Sequence, residues 1–235
     1  QRQMCIRDRS SIWSIFKENN IYASNFQPKN LINTPLSNFL YEEKSTVPYI
    51  SQEDLINALS DSLFLENKFN FIYYPNIDVI AHVFGVNSEE WIKEIKIFEE
   101  LVKKITELSN KKSYTVISAD HGLTNVPKEN RFHITYNEDV NIYGDQRSVY
   151  INGSKKDIIE IFSKVPGQLI DRSELNYLLP IPENDFIESL YPDFCFLVED
   201  KNIIYPHHLK TELAGYHGGL STEEIKIPII EISNF

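Results

Sequence analysis

Three short segments of the sequence carry side chains of the types that can bind divalent metal ions. Asp78 and His82 stand four residues apart, so a helix there would place both on one face and within reach of one ion. Asp120 and His121 are adjacent, and His217 lies within Gly-Tyr-His-Gly-Gly. Mixed carboxylate and imidazole ligands suit zinc or manganese better than calcium. The sequence therefore offers a candidate metal site built from three segments.

The few glycines of the chain lie close to the same histidines. Glycine permits close backbone approach and positive φ angles, which metal and phosphate loops need. An isolated Asp-x-x-x-His pair is usually a solvated helix face, and any strand end needs a turn. The coincidence of the three segments with the glycines favours one constellation. Of the 8 glycines, five lie within three residues of these histidines: Gly85, Gly122, Gly215, Gly218 and Gly219.

Hydrophobic periodicity predicts the elements that position these segments. A strand, a long helix and a second strand follow one another, which is typical of a βαβ unit with parallel strands and a helix-covered sheet. Ligands of such sheets gather at the carboxyl ends of the strands. The predicted elements are a helix from Ser51, its cap, to about Leu65, a buried strand at Phe69–Tyr74, a helix capped by Asn87 and ending near Asn110, and a buried strand at Tyr114–Ser118.

Shorter elements are predicted between residues 126 and 206, which we interpret as a smaller α/β lobe appended to one domain over residues 10–235. Pro228 cannot donate a hydrogen bond to a neighbouring strand, so the first half of the β-rich segment Ile225–Ile232 is predicted to be an edge strand or a strand start. The predicted elements of the lobe are a strand at Arg147–Ile151, helices at Lys156–Ser163 and Ser173–Leu179, and a strand at Asp193–Val198.

Composition excludes several classes of protein. The net charge of −11 argues against a general nucleic-acid or anionic-membrane surface, so an anionic substrate would need a local source of positive charge. No apolar stretch approaches the roughly 18 residues of a membrane-spanning helix. The two cysteines make neither a disulfide framework nor a cysteine-type zinc site, and a reducing compartment is compatible with them.

The first residues are predicted not to belong to the natural chain. Back-translation of residues 1–8 resembles the end of a transposase adapter used in sequencing libraries, and we interpret residues 1–9 as a translated artefact. On that interpretation the true N-terminus lies upstream of Ser10, and the sequence assigns no localisation.

Other reactive side chains have simpler interpretations. Cys195, within Phe-Cys-Phe, is predicted to be a small buried hydrophobic residue. Arg147 could meet a phosphate, although a charge at a strand start is more often solvated. The remaining histidines are predicted to lie at the surface: His133, His207 and His208.

These motifs together resemble the alkaline phosphatase superfamily, and within it the type I phosphodiesterase/nucleotide pyrophosphatase family. The resemblance extends over Ser10–Phe235. It implies an alkaline-phosphatase-like α/β/α three-layer sandwich with a mostly parallel sheet, truncated at the N-terminus, plus the small α/β lobe. The matching segments are Asp78 to His82 with Gly85 and Ser88, Ser118 to Gly122, the Gly-Asp-x-Arg segment at Arg147, and His217-Gly-Gly-Leu-Ser with Pro228.

The resemblance also implies two zinc ions, with manganese as an alternative, and a hydrolytic activity. Asp78, His82 and His217 match the three ligands of one metal, and Asp120 and His121 match two ligands of the other. In the family a threonine or serine oxygen attacks phosphorus in line, and water then hydrolyses the phospho-enzyme. The implied reaction is cleavage of phosphodiester or pyrophosphate bonds in a small phosphate ester, nucleotides included.

One part of the family pattern has no match here. The nucleophile and a further aspartate ligand find no counterpart between Ser10 and Asn76, so we expect both to lie upstream in the parent protein. We accordingly expect the chain as given to have little or no activity.

Three alternatives fit parts of the pattern. A cofactor-independent phosphoglycerate mutase shares Asp-x-x-x-His and Asp-His-Gly, but its late segment is unlike Gly-Tyr-His-Gly-Gly-Leu-Ser. A non-catalytic metal-binding relic would keep these ligands and lack the nucleophile. An α/β domain without metal would make no use of them.

Overall fold

A computed structural model of the chain describes residues 11–41, 46–60, 62, 67–109, 112–180, 182, 184–206 and 212–234. These residues divide into two units. The first unit holds residues within 11–77, 93–116 and 231–234, and the second holds residues within 78–92 and 117–230.

The α-helices are interspersed among the strands along the chain. They are α1 Ile12–Glu18, α2 Pro35–Leu40, α3 Gln52–Ser60, α4 Asn76–Phe84, α5 Glu89–Leu108, α6 Lys155–Phe162, α7 Arg172–Leu175, α8 Asp185–Leu190 and α9 Thr222–Ile225. The strands are β1 Tyr22–Pro28, β2 Thr46–Tyr49, β3 Lys68–Ile72, β4 Ser113–Ser118, β5 Thr124–Asn125, β6 Arg131–Ile134, β7 Asn141–Gly144, β8 Ser148–Asn152, β9 Gly167–Asp171, β10 Phe194–Val198, β11 Ile203–Pro206, β12 Gly215–Tyr216 and β13 Ile229–Asn234.

Side-chain caps start the two helices predicted in the first half of the chain. Ser51 accepts a hydrogen bond from the Asp54 amide and so caps α3 as predicted, whereas the predicted end near Leu65 lies outside the described residues. The cap of α5 is Ser88, which accepts from the Trp91 amide at 3.1 Å, and not Asn87. Asn87 has a φ of 66° and belongs to the preceding turn, so the prediction was one residue too early.

The first unit contains a parallel three-stranded sheet in the order β2-β1-β3. Its core combines residues of β1, β2, α3 and α5, namely Phe26, Tyr49, Leu55, Leu59, Leu101 and Ile105. The prediction that β3 is buried was wrong, since Phe69 and Phe71 are each 37% exposed. An apolar run reveals that a strand has an apolar face, but only packing decides whether that face is covered.

The predicted βαβ unit is also corrected. Among the described strands β3 pairs with β1, while β4 pairs with β13, so β3 and β4 do not share one hydrogen-bonded sheet. Strand β4 is half exposed rather than buried, with Tyr114 at 57% and Val116 at 53%. The interpretation of Pro228 is confirmed, because β13 starts immediately after it.

The second unit contains an antiparallel sheet in the order β7-β8-β10-β9. Helix α6 packs on it through Ile158 and Phe162, which join a core with Ile151 and Phe196. The predicted strands at β8 and β10 and the helix at α6 are confirmed to within one residue. The helix predicted at Ser173–Leu179 is shorter, because α7 ends at Leu175. Within the described ranges no helix is long and apolar enough to cross a membrane.

Candidate metal centre

Helix α4 positions the first pair of candidate ligands. Asp78 lies in its first turn and His82 in its last, so the i, i+4 spacing places both on one face. The distance between His82 Nε2 and Asp78 Oδ1 is 3.4 Å. A helix is therefore present where this pairing requires one, and it brings the two side chains together.

A short strand pair brings the other two histidines together. Strands β5 and β12 are antiparallel, with Thr124 opposite Tyr216. His121 lies three residues before β5, and His217 directly follows β12. The two imidazole rings stack with centroids 3.7 Å apart and planes 19° apart.

The segment before His217 is held directly against helix α4. Ala214 N donates to the His82 carbonyl at 2.8 Å, and His82 Nδ1 donates to the Gly215 carbonyl at 2.8 Å. A Cβ atom on Gly215 would lie 2.4 Å from the Ala81 carbonyl oxygen, so only glycine permits this approach. The rings of His82 and His217 consequently lie 5.1 Å apart between centroids.

Asn125 ties the end of α4 to strand β5. Its amide oxygen accepts from Val86 N at 2.7 Å, and its amide nitrogen donates to the Val86 carbonyl at 2.8 Å. Gly122 N donates to the Glu224 carbonyl at 2.7 Å, and a Cβ atom on Gly122 would lie 2.0 Å from the Glu223 carbonyl oxygen. The Asn125 side chain on one side and the Gly122 backbone on the other therefore hold the His121 segment.

Hydrogen bonds to carbonyl oxygens fix which ring nitrogen is protonated. A carbonyl oxygen only accepts, so His82 Nδ1 carries a proton, and Nε2 is the ring nitrogen that faces Asp78. His121 Nδ1 similarly contacts the Gly122 carbonyl at 3.1 Å. A backbone carbonyl on the second ring nitrogen is the usual support of a metal-binding histidine.

The surroundings of His217 keep its imidazole neutral. Burial lowers the pKa of His217, and the neighbouring His121 lowers it further, against the opposite effect of Asp145. Asp145 Oδ2 lies 3.9 Å from His217 Nδ1. The neutral form favoured by this environment is the one that binds metal.

Three of the predicted ligands form a cluster of suitable size for one ion. Donor atoms of Asp78, His82 and His217 lie within 4.8 Å of one another. The buried Asp78 Oδ1 has no hydrogen-bond partner in the described part of the protein. A buried carboxylate oxygen beside two imidazoles and without a donor fits a bound cation, which would supply the missing partner.

The other pair of predicted ligands is arranged differently. His121 joins the cluster through its stacking on His217, whereas the Asp120 side chain is 79% exposed. Asp120 Oδ1 accepts from the His121 backbone amide at 3.2 Å. The structure therefore gathers Asp78, His82 and His217 with His121 beside them, and leaves Asp120 at the rim.

The remaining sequence predictions have mixed outcomes. Cys195 is buried and His133 is exposed, as predicted, while His207 and His208 lie outside the described residues. The prediction that Arg147 is solvated was wrong, because its side chain is 1% exposed and forms an ion pair with Glu224. The buried carboxylate also occupies the guanidinium, which is therefore not directed at a phosphate.

Two residues near the histidines were missed by the sequence analysis. Asp145 faces His217, and Glu224 supports the loop after it. Asp145 stands in the same Gly-Asp-x-Arg segment as Arg147, and Ser221 with Glu224 shows the spacing of a capping box at the start of α9. Both signals are in the sequence, but neither indicates which distant residue is contacted.

Comparison with known proteins decides the family. The family model described as type I phosphodiesterase / nucleotide pyrophosphatase matches residues 18–171, which is more than half of the chain. The chain belongs to this family. No curated protein matches it in a sequence search.

Solved structures of phosphodiesterase-type proteins share the fold of this family member. Murine ectonucleotide pyrophosphatase / phosphodiesterase 5 aligns with a TM-score of 0.70 at 15% identity, over 94% of this chain and 62% of the murine one. An inactive threonine-to-alanine variant of that protein, in complex with AMP, aligns with a TM-score of 0.70 at 13% identity, over 96% and 63% of the two chains. The alkaline-phosphatase-like fold expected from the resemblance is confirmed.

A second type of enzyme has the same fold. Phosphonoacetate hydrolase from Sinorhizobium meliloti 1021, in complex with phosphonoacetate, aligns with a TM-score of 0.64 at 12% identity, over 92% of this chain and 66% of the hydrolase. The present chain thus spans about three fifths of the length of the murine phosphodiesterase and two thirds of the hydrolase.

Proposed function

We propose that the protein to which this chain belongs is a metal-dependent hydrolase of phosphodiester or pyrophosphate bonds. Its substrate would be a small phosphate ester, with nucleotides as the first class to test. Family membership supports the reaction class. The observation that carries the proposal is the cluster of Asp78, His82 and His217, whose donor atoms lie within 4.8 Å of one another.

The candidate ligands divide between two metal positions. Asp78, His82 and His217 would hold one ion, and His121 with Asp120 would supply two ligands of the other. We propose zinc at both positions, with manganese as the alternative, because the donors are imidazoles and carboxylates without thiolates. Asp120 Oδ2 lies 3.8 Å from His121 Nε2, a separation at which both atoms could contact one ion.

Two such ions, held by these residues, would supply positive charge to the phosphate and to the attacking and leaving oxygens of an in-line displacement. That positive charge is what a chain of net charge −11 otherwise lacks. The protein's own contribution is orientation. His82 is locked by the Gly215 carbonyl, and the lowered pKa of His217 keeps it neutral at physiological pH.

The attacking group would be a threonine or serine hydroxyl. No residue between Ser10 and Asn76 matches the family's nucleophile, so we propose that it lies upstream in the parent protein. The inactive murine variant in complex with AMP carries a threonine-to-alanine replacement, which is consistent with a threonine in that role.

Metal binding by the 235-residue chain tests the site directly. We expect the unmodified 235-residue chain, the parent chain of the variants, to bind zinc in a competition titration against a chromophoric chelator. It should also unfold at a higher temperature with zinc than without it. His82→Ala and His217→Ala should each weaken binding severely, because each removes one of three ligands. His133→Ala is the matched control, since this histidine is exposed and lies outside the cluster. Equal zinc binding by all four proteins, or none by the parent, would refute the site.

Hydrolysis tests the reaction. The full-length protein should hydrolyse bis-p-nitrophenyl phosphate in a metal-dependent manner, and His217→Ala should abolish turnover. The 235-residue chain should show little or no turnover. Substantial turnover by this chain, lost in His217→Ala, would place the nucleophile within it and refute our assignment upstream.

A further inference from the structure

We infer that the buried ion pair between Arg147 and Glu224 is a positioning device that holds the backbone behind two of the candidate ligands, His121 and His217. The inference rests on the proposed function, since it assigns these two histidines to metal positions. In the described part of the protein, neither residue of the pair forms a hydrogen bond or ion pair with an imidazole ring. Arg147 and Glu224 act through the backbone segments that follow His121 and His217.

All three guanidinium nitrogens of Arg147 donate hydrogen bonds to other residues of the protein. Its Nε and Nη2 donate to the two Glu224 carboxylate oxygens at 2.6 and 2.7 Å. Nη1 donates to the Asn202 carbonyl at 2.6 Å, and Nη2 also donates to the Asp200 carbonyl at 2.8 Å. This bidentate, fork-shaped arrangement fixes the direction of the carboxylate as well as its position.

Glu224 connects the pair to both histidine segments. Its carboxylate accepts from Gly219 N at 2.8 Å and from Ser221 N at 3.3 Å, just after His217. Its backbone carbonyl accepts from Gly122 N at 2.7 Å, just after His121. One residue therefore sets the positions of two backbones whose imidazoles stack 3.7 Å apart.

The segment around Arg147 also reaches the His217 loop. Ser148 Oγ donates to the Gly218 carbonyl at 2.7 Å. A Cβ atom on Gly219 would lie 2.8 Å from Arg147 Nη2, so the guanidinium lies directly against the loop backbone. Asp145, two residues before Arg147, faces His217 Nδ1 at 3.9 Å. The loop is thus held between β8 and α9.

Burial separates this pair from an ordinary stabilising contact. Both side chains are 1% exposed, and buried ion pairs can often be exchanged for apolar residues with no loss of stability. Apolar residues would, however, leave the amides of Gly219 and Ser221 without their acceptor. Replacement of the pair by apolar residues should therefore cost some stability as well as the position of the loop. Metal affinity compared between folded proteins isolates the effect on the loop.

The deciding variant replaces both partners, Arg147→Met with Glu224→Met. If the pair positions the histidines, the folded double variant should bind zinc about 10- to 100-fold more weakly, as is typical when a residue that orients a ligand is lost. The visible absorption spectrum of the cobalt-substituted protein should also change, because the geometry at the metal changes. The matched control is Arg172→Met with Glu188→Met, a partly exposed pair that joins α7 to α8. The control should retain the parent's affinity and spectrum.

An unaltered affinity and cobalt spectrum in the folded double variant would overturn the inference. Glu224→Gln provides a second test that preserves shape and one acceptor oxygen but removes the charge. It should give an intermediate loss of affinity, and parent-like affinity in this variant would also count against a positioning role.

Hydrogen exchange in the metal-free parent chain tests the inference without any variant or metal. The amides of Gly122 and Gly219 should exchange as slowly as those of strands β8 and β10, because the ion pair holds them before metal arrives. Rapid exchange at both amides would overturn the positioning role. Slow exchange in a chain that binds no zinc would instead contradict the proposed function, while the ion pair would still hold the two backbone segments. The two failures are therefore distinguishable.

Discussion

Replacement of Gly215 by alanine should weaken metal binding without touching any candidate ligand. Gly215 lies between the two elements that carry His82 and His217, and its carbonyl accepts the hydrogen bond from His82 Nδ1. The change adds one methyl group where the segment 214–216 approaches helix α4. It therefore tests whether that approach sets the geometry of the site.

The structure sets the size of the effect. The new Cβ atom would lie 2.4 Å from the Ala81 carbonyl oxygen, and ordinary contact begins at 3.4 Å, so the two backbones must separate by about 1 Å. Two hydrogen bonds of 2.8 Å, from Ala214 N and from His82 Nδ1, would be stretched beyond useful length. We expect a loss of about 1–3 kcal/mol of stability from the added bulk. Zinc affinity should fall by about 10- to 100-fold because His82 loses its orienting partner.

The assay compares Gly215→Ala with Gly167→Ala, measuring unfolding by urea and zinc affinity by chelator competition. Gly167 lies in β9, where a Cβ atom would lie 2.5 Å from the Leu197 carbonyl oxygen, so the clash is of similar severity away from the candidate ligands. Both variants should lose stability, and only Gly215→Ala should lose affinity. Equal zinc affinities in the two variants would refute the reasoning.

Three other properties can be checked on the same chain. Burial raises the pKa of the Glu224 carboxyl, but hydrogen bonds from Arg147, Ser221 and Gly219 outweigh it and hold the pKa below its ordinary value of 4.5. The stability that depends on this charge should therefore be complete above about pH 4.5, and it should be lost as the pH falls through the lower pKa of the folded state. The difference in unfolding free energy between the parent chain and Glu224→Gln should accordingly shrink on acidification. A difference that stays constant with pH would contradict this. Burial raises the pKa of the Cys195 thiol to about 11, so Cys195→Ala should leave the native reaction with a thiol reagent unchanged and remove one reactive thiol only after denaturation. Leu55→Ala should cost about 2–5 kcal/mol in urea unfolding, because Leu55 is fully buried in the core of the first unit, and a loss below 1 kcal/mol would show that this core collapses around the gap.

Local signals in the sequence predicted many elements but not their partners. Helix α6 and strands β8 and β10 follow from hydrophobic periodicity, and β13 starts where Pro228 requires. The cap of α5 was misplaced because Asn and Ser are both good caps, and only the backbone angle of Asn87 distinguishes them. The prediction that β3 and β4 are buried was wrong, because an apolar run does not indicate which other residues cover it.

The sequence by itself determined which groups could bind a metal: the spacing of Asp78 and His82 on a helix, the Asp-His-Gly turn, and the glycine-rich segment around His217. It also carried the motifs that identify the family. These features are local, so they can be read from spacing and residue type.

Only the tertiary structure decided which of these groups meet. The hydrogen bond from His82 to Gly215 spans 133 residues, and the ion pair between Arg147 and Glu224 spans 77. Contacts of that separation depend on how strands pair and helices pack, which no local pattern encodes. The same physics left Asp120 at the rim and turned Arg147 from a predicted surface charge into a buried support of the His217 loop.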